Sequence, residues 1–211
     1  MSDSNPPAVR TGRPPRTSKA EILAAARRLI DRDGWEKLTI RRLAAEAGVG
    51  TMTLYHHVRD REDLLVQLLN QHVEDLPRPQ LPAVPRDRIV AAALAMRDAL
   101  AAWPWAADVV TTDGFVARLS DGALWMVEAI VAGAADAGCA PERSVDVFRH
   151  LWYYTVGEVL VRARSTRTPF TGPFTAAGTP HLAAIGDAWP RLAARDIYPE
   201  GLRAFVDSLL A

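Results

Sequence analysis

The stretch LTIRRLAAEAGVGTMTLYHHVRDR, residues 38–61, constrains this chain more than any other. It reads as one short helix, a sharp turn, a second short helix and the start of a third. Thr39 is a favoured N-cap, and Leu38 and Leu43 stand at the N′ and N4 positions of a hydrophobic staple. Ile40, Leu43, Ala44 and Ala47 then share one face, with Arg41, Arg42 and Glu46 turned elsewhere. Gly48 supplies the left-handed residue that ends a helix without a Cβ penalty. Thr51 or Gly50 caps the second helix, whose buried side is Leu54 and Val58. Thr51, Met52, Thr53, Tyr55, His56 and His57 are left on a short, mostly polar surface. A helix this short needs neighbours to hold it. The spacing is that of a helix-turn-helix, whose second helix offers small and hydrogen-bonding side chains to a DNA major groove.

Helix–Gly–helix corners also occur in helical proteins that never touch DNA, so the flanking charge matters. Arg10, Arg13, Arg16 and Lys19 form a basic arm with no acid among them, and Arg59 and Arg61 bracket Asp60, the N-cap of the next helix. The chain as a whole is neutral, with 25 basic and 25 acidic side chains. Residues 10–61 nevertheless carry 12 Lys/Arg against 6 Asp/Glu, and residues 62–211 carry 13 against 18. Basic charge sits where the helix-turn-helix sits.

Composition bounds the rest. Of 211 residues 49% are hydrophobic, and no stretch alternates as strands do, so the fold class expected is all-α. Cys139 stands alone, which rules out an intrachain disulfide, and no Cys/His cluster has zinc spacing. Neither a metal nor any other cofactor is expected. The N-terminus lacks the apolar core of a signal peptide, and the most apolar region, 123–140, is interrupted by Glu128 and Asp136. The expectation is a cytoplasmic protein with no membrane partner.

Residues 17–69 resemble the DNA-binding domain of the TetR family of bacterial repressors. The resemblance is carried by an opening helix over 18–32, Gly34, Leu38-Thr39, the helix and turn of 41–48, and Thr53-Leu54-Tyr55-His56-His57-Val58. It implies base or backbone contact by Arg41, Thr51, Met52, Thr53, Tyr55, His56 and His57, and phosphate contact by Arg61. The side chains suit those roles. Arg41 can fork onto a guanine edge or a phosphate, and Thr and Met methyls can meet a thymine methyl. Tyr55 and the histidines suit phosphate oxygens, which set register rather than sequence. The chain departs from the family's tetracycline-responsive members at Ile40 and at Gly50-Thr51-Met52, so no operator sequence is implied.

The expected organisation is a disordered basic arm over 1–17, the helix-turn-helix domain over 18–65, and a larger helical ligand-binding and dimerisation domain over 66–211. Ser18 and Glu21 make a capping box, and Ile22, Leu23, Ala26, Leu29 and Ile30 make an apolar stripe behind the motif. Trp35 reads as core. A helix from Asp60 through Leu64, Leu65, Leu68 and Leu69 to His72 begins at the DNA and ends in the larger domain, a route for a mechanical signal. Prolines 77, 79, 82 and 85 mark a connection, and helices follow over 87–102, 121–137, 142–164, 181–195 and 199–210, with a loop over 165–180.

The helix over 142–164 is apolar on opposing sides, and the last helix has a clean stripe of Leu202, Phe205, Val206, Leu209 and Leu210. These predict a homodimer with a four-helix interface, unless both faces are covered within one chain. The pocket expected for a small-molecule effector gathers Trp103, Trp105, Phe115, Trp125, Trp152 and Tyr153. Arg97, Arg118, His150 and Thr155 are its candidate polar groups. Tyr154-Thr155-Val156-Gly157 and Val159-Leu160 also resemble the family's C-terminal domain. Nothing around 106–112 matches the metal-chelating histidine of its tetracycline-binding members, so magnesium–tetracycline is not the expected ligand.

Together these readings describe a dimeric repressor released from a palindromic double-stranded DNA operator by a small hydrophobic or aromatic ligand. The alternative is a ligand-independent, architectural DNA-binding protein. Nucleophile–base pairs, paired carboxylates and Gly-rich phosphate loops are all missing from the sequence, so an enzyme is not expected.

Overall fold

A computed structural model describes residues 17–111, 114–165, 175 and 177–211, less the side chains of Pro104 and Asp108. Except for Thr17, the expected basic arm lies outside the described residues, as does most of the expected loop over 165–180. Every regular element among the described residues is helical. The chain divides into two compact units between Leu68 and Leu69.

The first unit holds α1 (Lys19–Asp33), α2 (Ile40–Ala47), α3 (Thr51–Tyr55) and the opening turns of α4 (Arg61–Glu74). Its caps are the ones the sequence calls for. Ser18 Oγ accepts from the Glu21 amide while Glu21 returns a bond to the Ser18 amide, and Thr39 Oγ1 accepts from the Arg42 amide at 3.2 Å. Gly48 closes α2 at φ +67°, a conformation that costs a side-chain-bearing residue strain. Gly50 heads α3 and makes no side-chain cap bond. Ile22, Ala26, Leu29, Leu38, Leu43, Leu54, Val58 and Leu64 close into one core. Trp35, expected in that core, is only half-buried, in a short 3-10 turn between α1 and α2.

The second unit is built on α5 (Pro85–Ala102), α7 (Asp121–Asp136) and α8 (Pro141–Arg164), each packed against the other two. Prolines that stop one helix start the next: α5, α8 and a short α6 (Pro104–Val110) all carry Pro in their first turn, where the missing N–H has no intrahelical partner to lose. α6 and the 3-10 turn Phe115–Arg118 were not foreseen from the sequence. The single helix expected over 181–195 is instead α9 (Pro180–Ile185), a 3-10 turn and α10 (Trp189–Ala193), because Gly186 at φ +49° and Pro190 interrupt it. The last helix, α11 (Tyr198–Leu209), lies against α5 and α8.

That placement settles the two-sided pattern. Val147, Phe148, Leu151, Trp152, Val156 and Val159 of α8 are buried, whereas Val145, Tyr153 and Val161 are at least half exposed. On α11, Leu202, Val206 and Leu209 are buried within the chain. The stripe expected at a dimer interface is therefore mostly core, with Phe205 half-covered by edge contacts to His150 and Tyr154.

No helix among the described residues is long and apolar enough to cross a membrane. α5 and α7 approach closely at Gly133, where a Cβ would lie 2.6 Å from Ile89 Cγ1 and 3.1 Å from the Pro85 carbonyl oxygen. Gly133→Ala is expected to destabilise the fold by roughly 1–3 kcal/mol through overpacking, read as a lowered urea midpoint. An unchanged midpoint would show that the two helices separate without cost.

Candidate nucleic-acid interface and apolar cavity

The short α3 owes its position to one side chain, Leu54, fully buried at 0% exposure. With Leu54 turned inward, the opposite surface is forced out. Met52 is 72% and Tyr55 52% exposed, Thr51 and His56 are exposed, and Thr53 and His57 are half-buried. Six of the eight residues expected at DNA thus lie on α3 or just beyond it, none of them buried. An apolar Met52 this exposed, on the smallest helix of the unit, has no structural task there.

The surrounding cations divide sharply. Arg28 and Arg32 pair with Glu46, Arg42 with Asp33 at 2.5 Å, Arg27 with Asp31 at 2.9 Å, and Arg59 with Asp63 at 3.1 Å. The Arg32 hydrogen bond is the main cause holding the Glu46 carboxyl below the usual range. At Asp63 burial pushes the other way, but bonds from the Arg59 amide and guanidinium and from Gln67 prevail and lower it. Lys19, Lys37 and Arg41 have no ion pair or side-chain hydrogen bond among the described residues. Arg41 is exposed in the first turn of α2, the helix that precedes α3, and is free to meet an external anion.

Arg61 is differently employed. Its Nε donates to the Leu38 carbonyl and its Nη2 to the Trp35 carbonyl, both at 2.8 Å, and its guanidinium stands 4.9 Å from the Trp35 ring centroid. The residue expected at a phosphate is thus committed to fastening the first turn of α4 to the α1–α2 link. Gln67, one face further along α4, donates to the His57 carbonyl just beyond α3, at 3.2 Å. Arg61→Ala is expected to lower the unit's stability by about 1–3 kcal/mol, because charge-assisted bonds to buried carbonyls are lost. Arg41→Ala should leave it within about 0.5 kcal/mol. Thermal melts of the two variants make the comparison.

In the second unit the expected pocket residues scatter. Phe115 and Trp152 stack at 4.6 Å and line a cavity with Leu69, Val73, Leu119 and Phe148. Trp103 and Trp105 stack on each other at 5.3 Å, with His72 against Trp103 at 4.1 Å, in the core beside α6 and outside that lining. Trp125 lines a separate surface cleft with Pro77, Pro79 and Leu94. Tyr153 points outward, 60% exposed, and accepts from Arg149. His150 is exposed and meets the edge of Phe205.

Thr155 is fully buried but is occupied elsewhere: it gives its proton to the Leu151 carbonyl at 2.7 Å, so Tyr198 must be the donor in the 2.6 Å bond between their oxygens. Burial pushes the Tyr198 hydroxyl up to about 12, the behaviour of a core donor. Arg97 lies over the Tyr198 ring and pairs with Asp196 at 2.9 Å, and Arg118 is outside the cavity lining too. None of the four expected polar groups reaches the cavity.

What remains is wholly apolar and small. The space is about 40 Å³, room for roughly three waters at 10–15 Å³ each. The cleft beside it, about 470 Å³, shares Val73, Ala99 and Met126 with the cavity wall. No group of three or more His, Cys, Asp or Glu that could hold a metal occurs among the described residues.

Comparison with known proteins bears on both halves. Residues 22–68 match the family described as bacterial regulatory proteins, tetR family. An HTH-type transcriptional regulator of Saccharopolyspora erythraea is 29% identical over 85% of this chain and 75% of its own length. The repressor AcnR of Corynebacterium efficiens is 38% identical over 63 residues, 30% of this chain and 34% of AcnR. An HTH-type regulator of Mycobacterium tuberculosis is 36% identical over 64 residues, so the chain spans under a third of that relative's length.

Among solved structures, ActR of Streptomyces coelicolor in complex with (S)-DNPA superimposes with a TM-score of 0.74 at 20% identity, covering 92% of this chain and 98% of ActR. BioQ with its double-stranded DNA operator superimposes with a TM-score of 0.66 at 24% identity over the same shares. At such identities what is shared is the fold.

Proposed function

We propose that this chain, whose residues 22–68 match the tetR family of bacterial regulatory proteins, is a homodimeric, cytoplasmic transcriptional repressor. It holds a palindromic operator and lets go when a small apolar or aromatic effector enters the second unit. It is a binding protein, not an enzyme. The observation that carries the DNA half is the α3 surface: Thr51, Met52, Tyr55 and His56 exposed around a buried Leu54, with the uncommitted Arg41 exposed on the preceding helix.

In this reading Met52 and the threonines meet base edges, Arg41 takes a guanine or a phosphate, and Tyr55 and the histidines set register on the backbone. Arg59, with 77% of its side chain exposed despite its ion pair to Asp63, is better placed than the half-buried Arg61 to meet a phosphate. Repression follows the naming of AcnR as a repressor. The dimer rests on the outer ridge of α8. Val145, Arg149, Tyr153, Gly157 and Val161 recur every four residues, and Gly157 leaves open space at the centre, a groove for a ridge of the second copy.

Selection from random duplexes, followed by titration of the winning sequence across salt, tests the DNA reading. A palindromic winner, with affinity falling steeply as salt rises, is expected. Arg41→Ala and Tyr55→Ala should each weaken binding by about 1–3 kcal/mol with the fold intact. Normal binding by both would overturn the assignment of the surface. If no compound in a diverse screen raises the melting temperature, the ligand-independent architectural reading replaces the effector. Val161→Arg is expected to convert the dimer to a monomer in sedimentation; an unchanged mass would move the interface elsewhere.

A further inference from the structure

We propose that Asn70 is the residue that carries movement of the cavity wall into α4, which makes it the coupling residue of the effector response. This deepens the repressor reading and rests on it. Asn70 lies on the part of α4 that belongs to the second unit, between Leu69 and Val73, both of which line the cavity. Its own side chain faces away from that lining and grips the segment between the Phe115–Arg118 turn and α7 from both directions. Asn70 Nδ2 donates to the Arg118 carbonyl, and Asn70 Oδ1 accepts from the Ser120 amide, each at 3.0 Å.

One turn further along, Glu74 leaves no room beside the same segment: a Cβ on Gly122 would come within 2.4 Å of Glu74 Cγ. The gripped segment carries Leu119, and the turn before it carries Phe115, both cavity-lining.

The consequence follows from volume. The free space in the cavity is only about 40 Å³, so an effector that enters it pushes its walls apart. Phe115 and Leu119 form one wall; Leu69 and Val73 form another. The Asn70 bracket ties the first to the helix that carries the second, so displacement of the Phe115–Leu119 wall is passed to α4 rather than absorbed in the loop. α4 continues without a break to Arg61 and Gln67, whose side chains hold the carbonyls of Trp35, Leu38 and His57 around the helix-turn-helix. A single amide is well suited to this task, because it both donates and accepts and so resists motion in either direction.

The test needs no identified effector. Ala99 lines the cavity from α5, and Ala99→Leu fills it from within. With the operator recovered by selection, Ala99→Leu is expected to weaken binding about tenfold, or 1.4 kcal/mol. Asn70→Ala alone should change binding by less than about threefold, and in the double variant the Ala99→Leu effect should vanish, a non-additive cycle. Asn70→Asp, of the same shape, keeps the acceptor for Ser120 but loses the donor to Arg118, and should remove part of the effect if Asn70→Ala fails to fold.

Hydrogen exchange gives a readout independent of DNA. Ala99→Leu should speed exchange of the α4 amides in the parent chain and leave them unchanged when Asn70 is Ala. Additive losses in the cycle would overturn the role of Asn70, as would α4 amides that respond identically with and without it. An Ala99→Leu variant with parental affinity and exchange would overturn the coupling altogether. A parent chain that selects no sequence defeats the repressor reading instead, and the exchange arm still decides on Asn70.

Discussion

A helix of five residues cannot hold itself. Nucleating a helical turn costs more than so few hydrogen bonds return, so α3 exists because the rest of its unit supplies what it lacks. Leu54 inserts fully into the core, Gly48 turns the chain through a left-handed residue, and Gln67 takes the His57 carbonyl that the short helix leaves without an intrahelical partner. Every outward residue of the candidate interface is positioned by those inward ones. The chemistry offered to DNA is a by-product of packing on the other side.

The same economy governs α4. Three of its polar side chains, Arg61, Gln67 and Asn70, hold backbone carbonyls of segments remote in sequence. Carbonyls of turns and of short-helix ends are what a helical protein has most trouble satisfying. Supplying their donors from one long helix gathers several weak segments onto a single element. α4 thereby becomes the member on which movement anywhere along its length must register.

How much of this was legible beforehand depends on the range of the interaction. The capping box at Ser18, the Thr39 cap and the Gly48 turn are decided within a few residues, and all appear in the structure where the sequence puts them. The intramolecular role of Arg61 was not legible, because its partners lie 23 and 26 residues away. Asn70 carried no signal, since its partners stand 48 and 50 residues on.

The aromatic group failed for a different reason. Residue type says that a ring wants cover, not which cover, and successive positions on a helix differ by about 100°. Trp152 therefore faces the cavity while Tyr153 beside it faces out. Gly186 and Pro190 are the local breakers that divide the helix expected over 181–195.

A cavity whose lining is apolar sets a limit on what it can tell apart. Molecules that fit are ranked by size and shape, and one methylene more or less is worth only about 1–3 kcal/mol in an apolar site. Molecules with polar groups are turned away by the cost of stripping their water, with no donor or acceptor in the wall to reward one pattern over another. Chemical identity in the sense of functional groups is invisible from inside such a wall. If the proposed effector binds there, such a wall selects a class of compounds by size and shape rather than one pattern of functional groups.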